Sequence, residues 1–261
     1  MNFETLELSR DESGIATLQL NRPNKHNAMN ALMMDELCAA ADFLDDDEQT
    51  RVVVIKGSGK TFCAGGDLNW MKAQVSTNRD GKIKEASRLA DMLKRLDDLK
   101  KPVIGQVGGN AFGGGLGLVS ICDIVVATPN LRFALTETRL GLIPATIGLF
   151  VVRKIGEGAA RQIFMNSKPF GTERAYKLGF VSEIVAEDKL EEAAYEEARA
   201  FLNCAPGAVK RAKDLCKHLA RTSHENPLNY SVEELADCWE SDEGSHGIDA
   251  FFAKEKPRWQ S

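Results

Sequence analysis

The sequence has no apolar run long enough to cross a membrane. Its most apolar stretch, Leu140–Val152, is interrupted by two glycines, a proline and a threonine, whereas a spanning helix needs about 20 consecutive apolar residues. The first residues, MNFETLELSRDESG, contain no basic segment followed by an apolar one, so we expect no secretory signal. We therefore expect a protein of the cytoplasm with no membrane partner.

Closely paired cysteines and clustered histidines are also missing. The six cysteines form no CxxC motif, and the four histidines form no HExxH motif. Scattered cysteines in a cytosol-like compartment stay reduced, and most pack as small apolar side chains. We therefore expect no disulfide framework and no metal site.

Positive charge is not in excess. The chain has 33 Lys and Arg residues against 38 Asp and Glu residues, so its formal net charge is −5. Binding to a nucleic-acid backbone needs clustered Lys and Arg, and we therefore expect no nucleic-acid partner. The hydrophobic fraction of 43% over 261 residues is enough for a substantial core, which excludes a disordered chain.

Short β-branched runs alternate with helical patterns over the first two thirds of the chain. The predicted strands are residues 3–8, 15–20, 51–56, 103–107 and 124–127, and the predicted helices follow Asn30 and occupy residues 79–100. Residues 51–56, RVVVIK, form a continuous apolar run that is typical of a parallel strand covered on both faces. Strand, helix and strand at this spacing predict crossover connections and an α/β core.

The strand signals end after residue 184. Amphipathic helical patterns then occupy residues 187–203, 206–221, 231–240 and 248–254. We therefore predict a core over residues 1–200, which would hold the ligand site, and a helical region over residues 201–261. The aromatic residues of that region would pack on its own core or on another subunit.

Three well-known motifs are incomplete. Residues 52–61, VVVIKGSGKT, have Val54 where a phosphate-binding loop needs its first glycine. The dinucleotide fingerprint GxGxxG would need a glycine at Leu118. Ser245 has Glu243 in place of the first glycine of a nucleophile elbow. These departures argue against nucleotide hydrolysis, dinucleotide binding and a serine hydrolase.

Two glycine clusters remain, at residues 62–67 (FCAGGD) and 108–117 (GGNAFGGGLG). Glycine lets the chain take positive φ and lets a ligand lie against bare backbone. The second cluster leads into a helical pattern, and the first N–H groups of a helix have no partner within it. Two such loops facing each other would form an oxyanion hole, with two N–H donors for one developing negative oxygen. Tight turns without a ligand are the alternative.

Further short motifs follow one another in a characteristic order. They are LNRP at 20–23 with Asn27-Ala28, FCAGGD at 62–67, KPVI at 101–104, GGG at 113–115 with Cys122-Asp123, Phe133 with Glu137, LG at 140–141 with IP at 143–144, Ala175 with Gly179 and Val181, and GIDAF at 247–251. This ordered set resembles the crotonase family, the enoyl-CoA hydratase/isomerase superfamily, along nearly the whole chain.

The resemblance carries expectations for fold and assembly. It implies a crotonase-like spiral of ββα units with a C-terminal helical extension used in trimerisation. Members of the family form trimers and dimers of trimers, so we expect a homotrimer or a hexamer. The implied substrate is an acyl-CoA thioester, and no cofactor is expected beyond the coenzyme A that the substrate carries.

The resemblance also assigns roles to particular residues. Gly66 and Gly114 match the two family positions whose N–H groups bind the thioester oxygen, and Glu137 matches the glutamate that acts as general acid or base on the acyl chain. Two segments match the part that cradles coenzyme A, with Lys25, Ala28, Ala64, Gly65, Asp67 and Leu68 as candidate contacts. Phe251 and Lys254 match a C-terminal patch that can reach the coenzyme A.

One position departs from the family pattern. Typical hydratases carry a second glutamate two residues after the triple glycine, where this chain has Gly117. Three interpretations stay open. Glu137 hydrates the substrate with an ordered water or another polar group in place of the missing carboxylate, or it shuttles one proton in a double-bond isomerisation. In the third, Gly117 makes room for a polar or branched acyl group.

The segment after Glu137 resembles the bacterial methylglutaconyl-CoA hydratase-like branch. Arg139 would then meet a substrate carboxylate, and a structural ion pair is the alternative role. The resemblance therefore implies an enoyl-CoA hydratase of fatty-acid or amino-acid degradation, with a branched or carboxylated enoyl-CoA as a candidate substrate. An enoyl-CoA delta isomerase and a non-catalytic CoA-binding subunit are the alternatives.

Overall fold

The computed structural model describes residues 2–220, 237 and 241–259, and of Ser245, Ile248, Phe251 and Phe252 it describes only the backbone. The strands are Leu6–Arg10 (β1), Ile15–Leu20 (β2), Val52–Gly57 (β3), Thr61–Cys63 (β4), Val103–Val107 (β5), Asn110–Phe112 (β6), Ile124–Ala127 (β7), Arg132–Ala134 (β8), Phe170–Gly171 (β9) and Glu183–Ile184 (β10). The α-helices are Ala31–Asp46 (α1), Leu68–Ser76 (α2), Arg79–Asp97 (α3), Gly114–Ile121 (α4), Ala145–Phe164 (α5), Thr172–Leu178 (α6), Leu190–Leu202 (α7), Pro206–Leu219 (α8) and Asp242–Ala253 (α9). Short 3-10 helices cover Pro23–Lys25, Glu137–Leu140 and Glu187–Lys189.

The strands form two sheets. The six-stranded sheet has the order β1-β2-β3-β5-β7-β10, and the four-stranded sheet has the order β4-β6-β8-β9. Pairing is parallel except between β1 and β2 and between β8 and β9. Three times in succession, one strand joins the first sheet, the next joins the second, and a helix follows. The predicted α/β class and the ββα unit are thus confirmed.

The six-stranded sheet is covered on both faces. Val53 and Ile55 of β3 belong to the larger apolar cluster with α1 and α3, whereas Val52 and Val54 pack with α7. All four side chains are fully buried, and burying one such side chain contributes about 1.5–3 kcal/mol relative to exposing it. The continuous apolar run predicted this two-sided burial correctly.

The predicted start of helix α1 agrees with the structure, whereas the predicted start of the first strand does not. Asn30 caps α1 as predicted, because its side chain accepts a hydrogen bond from the N–H of Met33 at 3.0 Å. The strand predicted at residues 3–8 begins only at Leu6, because the N–H groups of Glu4 and Thr5 donate to the carboxylate of Glu36 rather than to a neighbouring strand.

The C-terminal region is helical where the structure describes it. Helices α7, α8 and α9 follow β10, as predicted. The helical pattern at residues 231–240 lies outside the described residues except for Asp237, and the predicted packing of Phe251 also lies outside them. No helix in the described ranges is long and apolar enough to cross a membrane.

Candidate active site

Three segments of the candidate site follow three neighbouring strands. Strands β4, β6 and β8 are adjacent and parallel, so their carboxyl ends lie at the same edge of the smaller sheet. Ala64–Asp67 follows β4, Gly113 and the start of α4 follow β6, and Glu137 follows β8 after two residues. The chain therefore brings both glycine clusters and the predicted glutamate to one edge, the usual place for ligands in parallel sheets.

The two glycine loops are in direct contact. A β-carbon on Gly65 would lie 2.8 Å from the carbonyl oxygen of Phe112 and 3.5 Å from the backbone nitrogen of Gly114. Gly65 also has a φ of +92°, a conformation that L side chains rarely adopt. Glycine is therefore required at position 65 both for the turn and for the close approach of the second loop.

Two N–H groups at this contact have no acceptor. Within the described ranges, the backbone N–H groups of Gly66 and Gly114 donate no hydrogen bond. The neighbours of Gly66 are bound to Met29, whose N–H donates to the carbonyl of Gly65 at 2.7 Å and whose carbonyl accepts from the N–H of Asp67 at 2.9 Å. Gly114 is the first residue of α4, where an N–H has no partner within the helix.

Glu137 lies against the second glycine loop. Its Oε1 is 3.2 Å from the point where a β-carbon on Gly113 would stand, and its Oε2 is buried without a hydrogen-bond partner among the described residues. Burial raises the pKa of this carboxyl above its ordinary value, although backbone hydrogen bonds at Glu137 and Thr136 oppose the shift. A half-buried glutamate with a raised pKa and one buried carboxyl oxygen without a partner among the described residues is suited to proton transfer.

Apolar side chains close the site around the glycines. The methyl group of Met29 lies over Gly114, and the side chains of Trp70 and Met71 lie over Gly66. Leu89 of α3 is a further neighbour of Gly114. These groups lower the local polarity, which strengthens any hydrogen bond made there.

The space next to Gly117 is filled. A β-carbon at this position would lie 2.9 Å from Cγ2 of Ile147 and 3.1 Å from Cδ1 of Leu93. Gly117 is itself buried within α4. Ile147 of α5 occupies the room that the expected substrate group would need at Gly117, and contact of Gly117 with a substrate group stays a prediction.

The two segments predicted to cradle coenzyme A lie side by side. The N–H of Ala64 donates to the carbonyl of His26 at 3.0 Å, next to the two bonds of Met29. Lys25 is exposed, Ala28 is half-buried and Leu68 is 81% exposed. The carboxylate of Asp67 instead faces inward and accepts hydrogen bonds from Arg22 and from the start of α2.

Arg139 lies in the same 3-10 helix as Glu137. Its side chain is exposed and makes no ion pair with any residue in the described part of the chain. The alternative of a structural ion pair is therefore without support here. Lys254 lies just after α9 and is exposed, while the side chain of Phe251 is outside the described residues.

Sequence reasoning assigned no role to Arg22, Trp70 or Ile147. Arg22 belongs to the LNRP motif, but its contact with Asp67 joins two distant segments and leaves no local signal. Asp67 precedes a helix, as an N-cap residue would, and this pattern could have indicated that its carboxylate is engaged within the chain. No group of three or more His, Cys, Asp or Glu side chains that could hold a metal occurs in the described residues.

The comparisons with known proteins agree on one family. The sequence pattern of a family described as enoyl-CoA hydratase/isomerase matches residues 10–261. A solved structure of a putative enoyl-CoA hydratase/isomerase (crotonase) from Legionella pneumophila is 37% identical, with a TM-score of 0.90 over 99% of this chain and 100% of that one.

Two further relatives are similar over almost their full lengths. An enoyl-CoA hydratase structure from Shewanella pealeana is 34% identical, with a TM-score of 0.95 over 99% of this chain and 97% of that one. A protein of Thermus thermophilus named putative enoyl-CoA hydratase is 30% identical over 95% of this chain and 98% of its own.

Proposed function

Because the chain belongs to the enoyl-CoA hydratase/isomerase family, we propose that it is an enoyl-CoA hydratase. The enzyme adds water across the 2,3 double bond of an acyl-CoA thioester and needs no separate cofactor. The names of its relatives favour hydration. The observation that carries the proposal is that, among the described residues, Oε2 of Glu137 is buried without a hydrogen-bond partner and the N–H groups of Gly66 and Gly114 have no acceptor.

In the proposed reaction, the thioester oxygen accepts hydrogen bonds from the N–H groups of Gly66 and Gly114. The carboxylate of Glu137 takes a proton from water while the water oxygen bonds to C3 of the substrate. The electron pair of the double bond moves towards the thioester oxygen and forms an enolate. Each N–H donor aimed at this oxygen lowers the activation free energy by about 3 kcal/mol.

The second half of the reaction returns a proton. Glu137 is now a neutral carboxylic acid and delivers its proton to C2 as the enolate collapses to the thioester. The sum is one water added across the double bond, with Glu137 restored as a carboxylate. The raised pKa of Glu137 favours the first proton transfer, because a carboxylate with a higher pKa is a stronger base.

We also propose which segments of the chain bind coenzyme A. The parallel segments 25–28 and 64–68, joined by the bond between Ala64 and His26, would hold the nucleotide part of the ligand. Lys25 is exposed there and would contact a phosphate. Leu68 would cover the apolar part of the ligand, which accounts for an 81% exposed leucine beside a glycine loop.

Isomerisation of a double bond is the second candidate. It is favoured by the filled space at Gly117, where Ile147 and Leu93 stand in place of a second carboxylate. An isomerase needs one base that removes a proton from one carbon and returns it to another, and Glu137 alone would suffice.

Ultraviolet absorbance separates the two reactions. Hydration of a 2-enoyl-CoA removes the conjugated chromophore and incorporates oxygen from ¹⁸O-labelled water, whereas isomerisation of a 3-enoyl-CoA creates the chromophore and incorporates none. A panel of straight, branched and carboxylated enoyl-CoA thioesters would identify the acyl group. Absence of turnover with the whole panel, despite binding of coenzyme A, would favour the non-catalytic subunit instead.

We further propose that residues 201–261 form an assembly region on the core of residues 1–200 and that the protein is a homotrimer or a hexamer. The support is the helical character of this region and the family to which the chain belongs. Light scattering of the purified full chain tests the proposal, and a monomeric mass at micromolar concentration would contradict it.

A further inference from the structure

The direction of the N–H of Gly66 must be fixed by contacts that other residues make. A hydrogen bond weakens steeply once the donor turns away from the acceptor, and glycine allows the backbone to rotate more freely than any other residue. The N–H of Gly66 has no acceptor in the described part of the chain. Whatever holds this donor in place must therefore act through the residues on either side of it.

The backbone on both sides of Gly66 is bound to one residue. The carbonyl of Gly65 and the N–H of Asp67 both pair with Met29, which is 1% exposed. These two bonds form a single parallel bridge between Met29 and Gly66. Such an isolated bridge is weak by itself, since no strand continues it in either direction.

The guanidinium of Arg22 spans the two segments of this bridge. It donates to the carbonyl of Ala28 on one segment, and both of its Nη atoms lie 3.1 Å from Oδ2 of Asp67 on the other. The side chains of Arg22 and Asp67 are 17% and 11% exposed. The ion pair is therefore largely shielded from water and fixes the distance between the two segments.

The second oxygen of Asp67 is also engaged. Oδ1 accepts hydrogen bonds from the N–H groups of Asn69 at 2.9 Å and Trp70 at 3.4 Å, and so caps α2. Burial alone would raise the pKa of Asp67, but these bonds and those from Arg22 outweigh it, so the pKa lies below its ordinary value. Asp67 is thus held as an anion between Arg22 and the helix.

Arg22 is itself fixed at its backbone. Its N–H donates to Oδ1 of Asn27 at 2.9 Å, and its carbonyl accepts from the N–H of Asn27 at 3.0 Å. Asn27 is fully buried and donates to the carbonyls of Ser58 and Thr61. A continuous set of contacts therefore leads from the start of β4 through Arg22 to Asp67, the residue after Gly66.

We infer that Arg22 and Asp67 are positioning residues that aim the N–H of Gly66 at the thioester oxygen of the substrate. The inference rests on the proposed function, because it needs a ligand oxygen at Gly66. Neither side chain touches the reacting atoms. The contact of Asp67 with coenzyme A stays a prediction, while its carboxylate binds Arg22 and the start of α2 within the chain.

The test combines kinetics with a spectroscopic probe. A CoA thioester with a conjugated, electron-donating aryl group absorbs at longer wavelength when its carbonyl oxygen accepts strong hydrogen bonds. The variants are Arg22→Gln, Arg22→Lys and a matched control, Arg153→Gln, which removes the ion pair between Arg153 and Asp97 (3.0 Å). Thermal unfolding is measured for all of them, together with kcat and KM for the enoyl-CoA substrate.

Arg22→Gln is expected to lower kcat about tenfold or more, since full loss of one such donor costs about 10²–10³. KM should change much less, and the red shift of the bound probe should shrink. The kcat and red shift of Arg22→Lys should lie between those of the wild type and Arg22→Gln, because a single ammonium group lacks the planar fork of guanidinium. Arg153→Gln should retain the wild-type kcat and red shift.

Two results would overturn the inference. One is an Arg22→Gln variant with the wild-type kcat and red shift and only a lowered melting temperature, which would indicate a purely structural ion pair. The other is an equal loss of kcat in Arg153→Gln. If Arg22→Gln does not fold, Asp67→Asn takes its place, since asparagine still caps a helix but loses the charge. A wild-type protein with neither turnover nor red shift would refute the proposed function as well.

Discussion

The side chain of Ile147 stands where a substituent on Gly117 would have to lie, with its Cγ2 2.9 Å from the position of a β-carbon. Ile147 is in the first turn of α5 and is 1% exposed. An apolar group thus fills the space beside Gly117, the position at which the family resemblance predicts a second glutamate. Under the proposed function, both proton transfers would pass through Glu137, whose two oxygens have different surroundings.

The packing at Gly117 predicts a cost for restoring the family residue. Gly117→Glu would press a carboxylate against Ile147 and Leu93 and should lower the free energy of unfolding by about 3 kcal/mol or more, because an unpaired charge is buried. Adding Ile147→Ala should recover part of the loss. Urea unfolding measures both variants, and a stable Gly117→Glu single variant would contradict the packing described here.

The contact between the glycine loops predicts that Gly65 cannot be replaced. Gly65→Ala should lower stability by about 1–3 kcal/mol, because its φ of +92° strains any L residue. Enoyl-CoA turnover should fall with it, since the new methyl group would displace Phe112 next to Gly114. Gly158→Ala is the matched control. Gly158 lies exposed in α5 with open space around it, and alanine there should be neutral or stabilising by up to about 1 kcal/mol.

The raised pKa of Glu137 predicts two pH effects. As a base, Glu137 must be ionised, so kcat/KM should rise with pH through a pKa above the ordinary glutamate value. When the pKa of a group is higher in the folded protein than in the unfolded chain, the folded protein binds more protons between these two pKa values. The free energy of unfolding therefore falls as the pH rises through that range. Glu137→Gln should therefore raise the melting temperature at pH 7 but not at low pH. An equal change at both pH values would indicate an ordinary, solvated carboxylate.

Arg139, which is exposed and has no ion-pair partner among the described residues, predicts a difference between substrates. Arg139→Gln should raise KM about tenfold for a carboxylated enoyl-CoA, the loss expected for a hydrogen bond to a charged group. KM for the uncarboxylated analogue of the same length should stay unchanged and serves as the internal control. Equal effects on both substrates would exclude recognition of an acyl carboxylate by Arg139.

The sequence predicted the larger sheet much better than the smaller one. Strands such as β3 and β7 contain continuous apolar runs, because helices cover both faces of their sheet. Strands β4, β6 and β8 have only three residues each, which is too short for an alternating pattern to appear. Strands β4 and β6 also lie within or beside the two glycine clusters. Helix α5 was missed because glycine and proline interrupt its first turns and the segment before it.

The sequence allowed candidate residues of the site to be named, but it did not predict their contacts. Gly66, Gly114 and Glu137 follow from glycine clusters and from motif order, and the structure places their segments at one sheet edge. The roles of Ile147 and Arg22 depend on residues far away along the chain. The contact of Ile147 depends on how α5 packs on α4, and that of Arg22 depends on how the loop after β2 packs on the start of α2. The sequence holds no local signal for either packing.

Turnover by Glu137→Gln tests the central proposal most directly. Glutamine keeps the size of the side chain but can neither accept nor return the proton, and general acid–base catalysis contributes about 10²–10⁴ to a rate. Glu157→Gln, on the exposed side of α5, is the control. The assay uses an enoyl-CoA that the wild-type protein turns over. We predict that Glu137→Gln lowers kcat for this substrate at least 100-fold and still binds the thioester. Glu157→Gln should keep the wild-type kcat. A Glu137→Gln variant that hydrates the substrate at the wild-type rate would contradict the proposal.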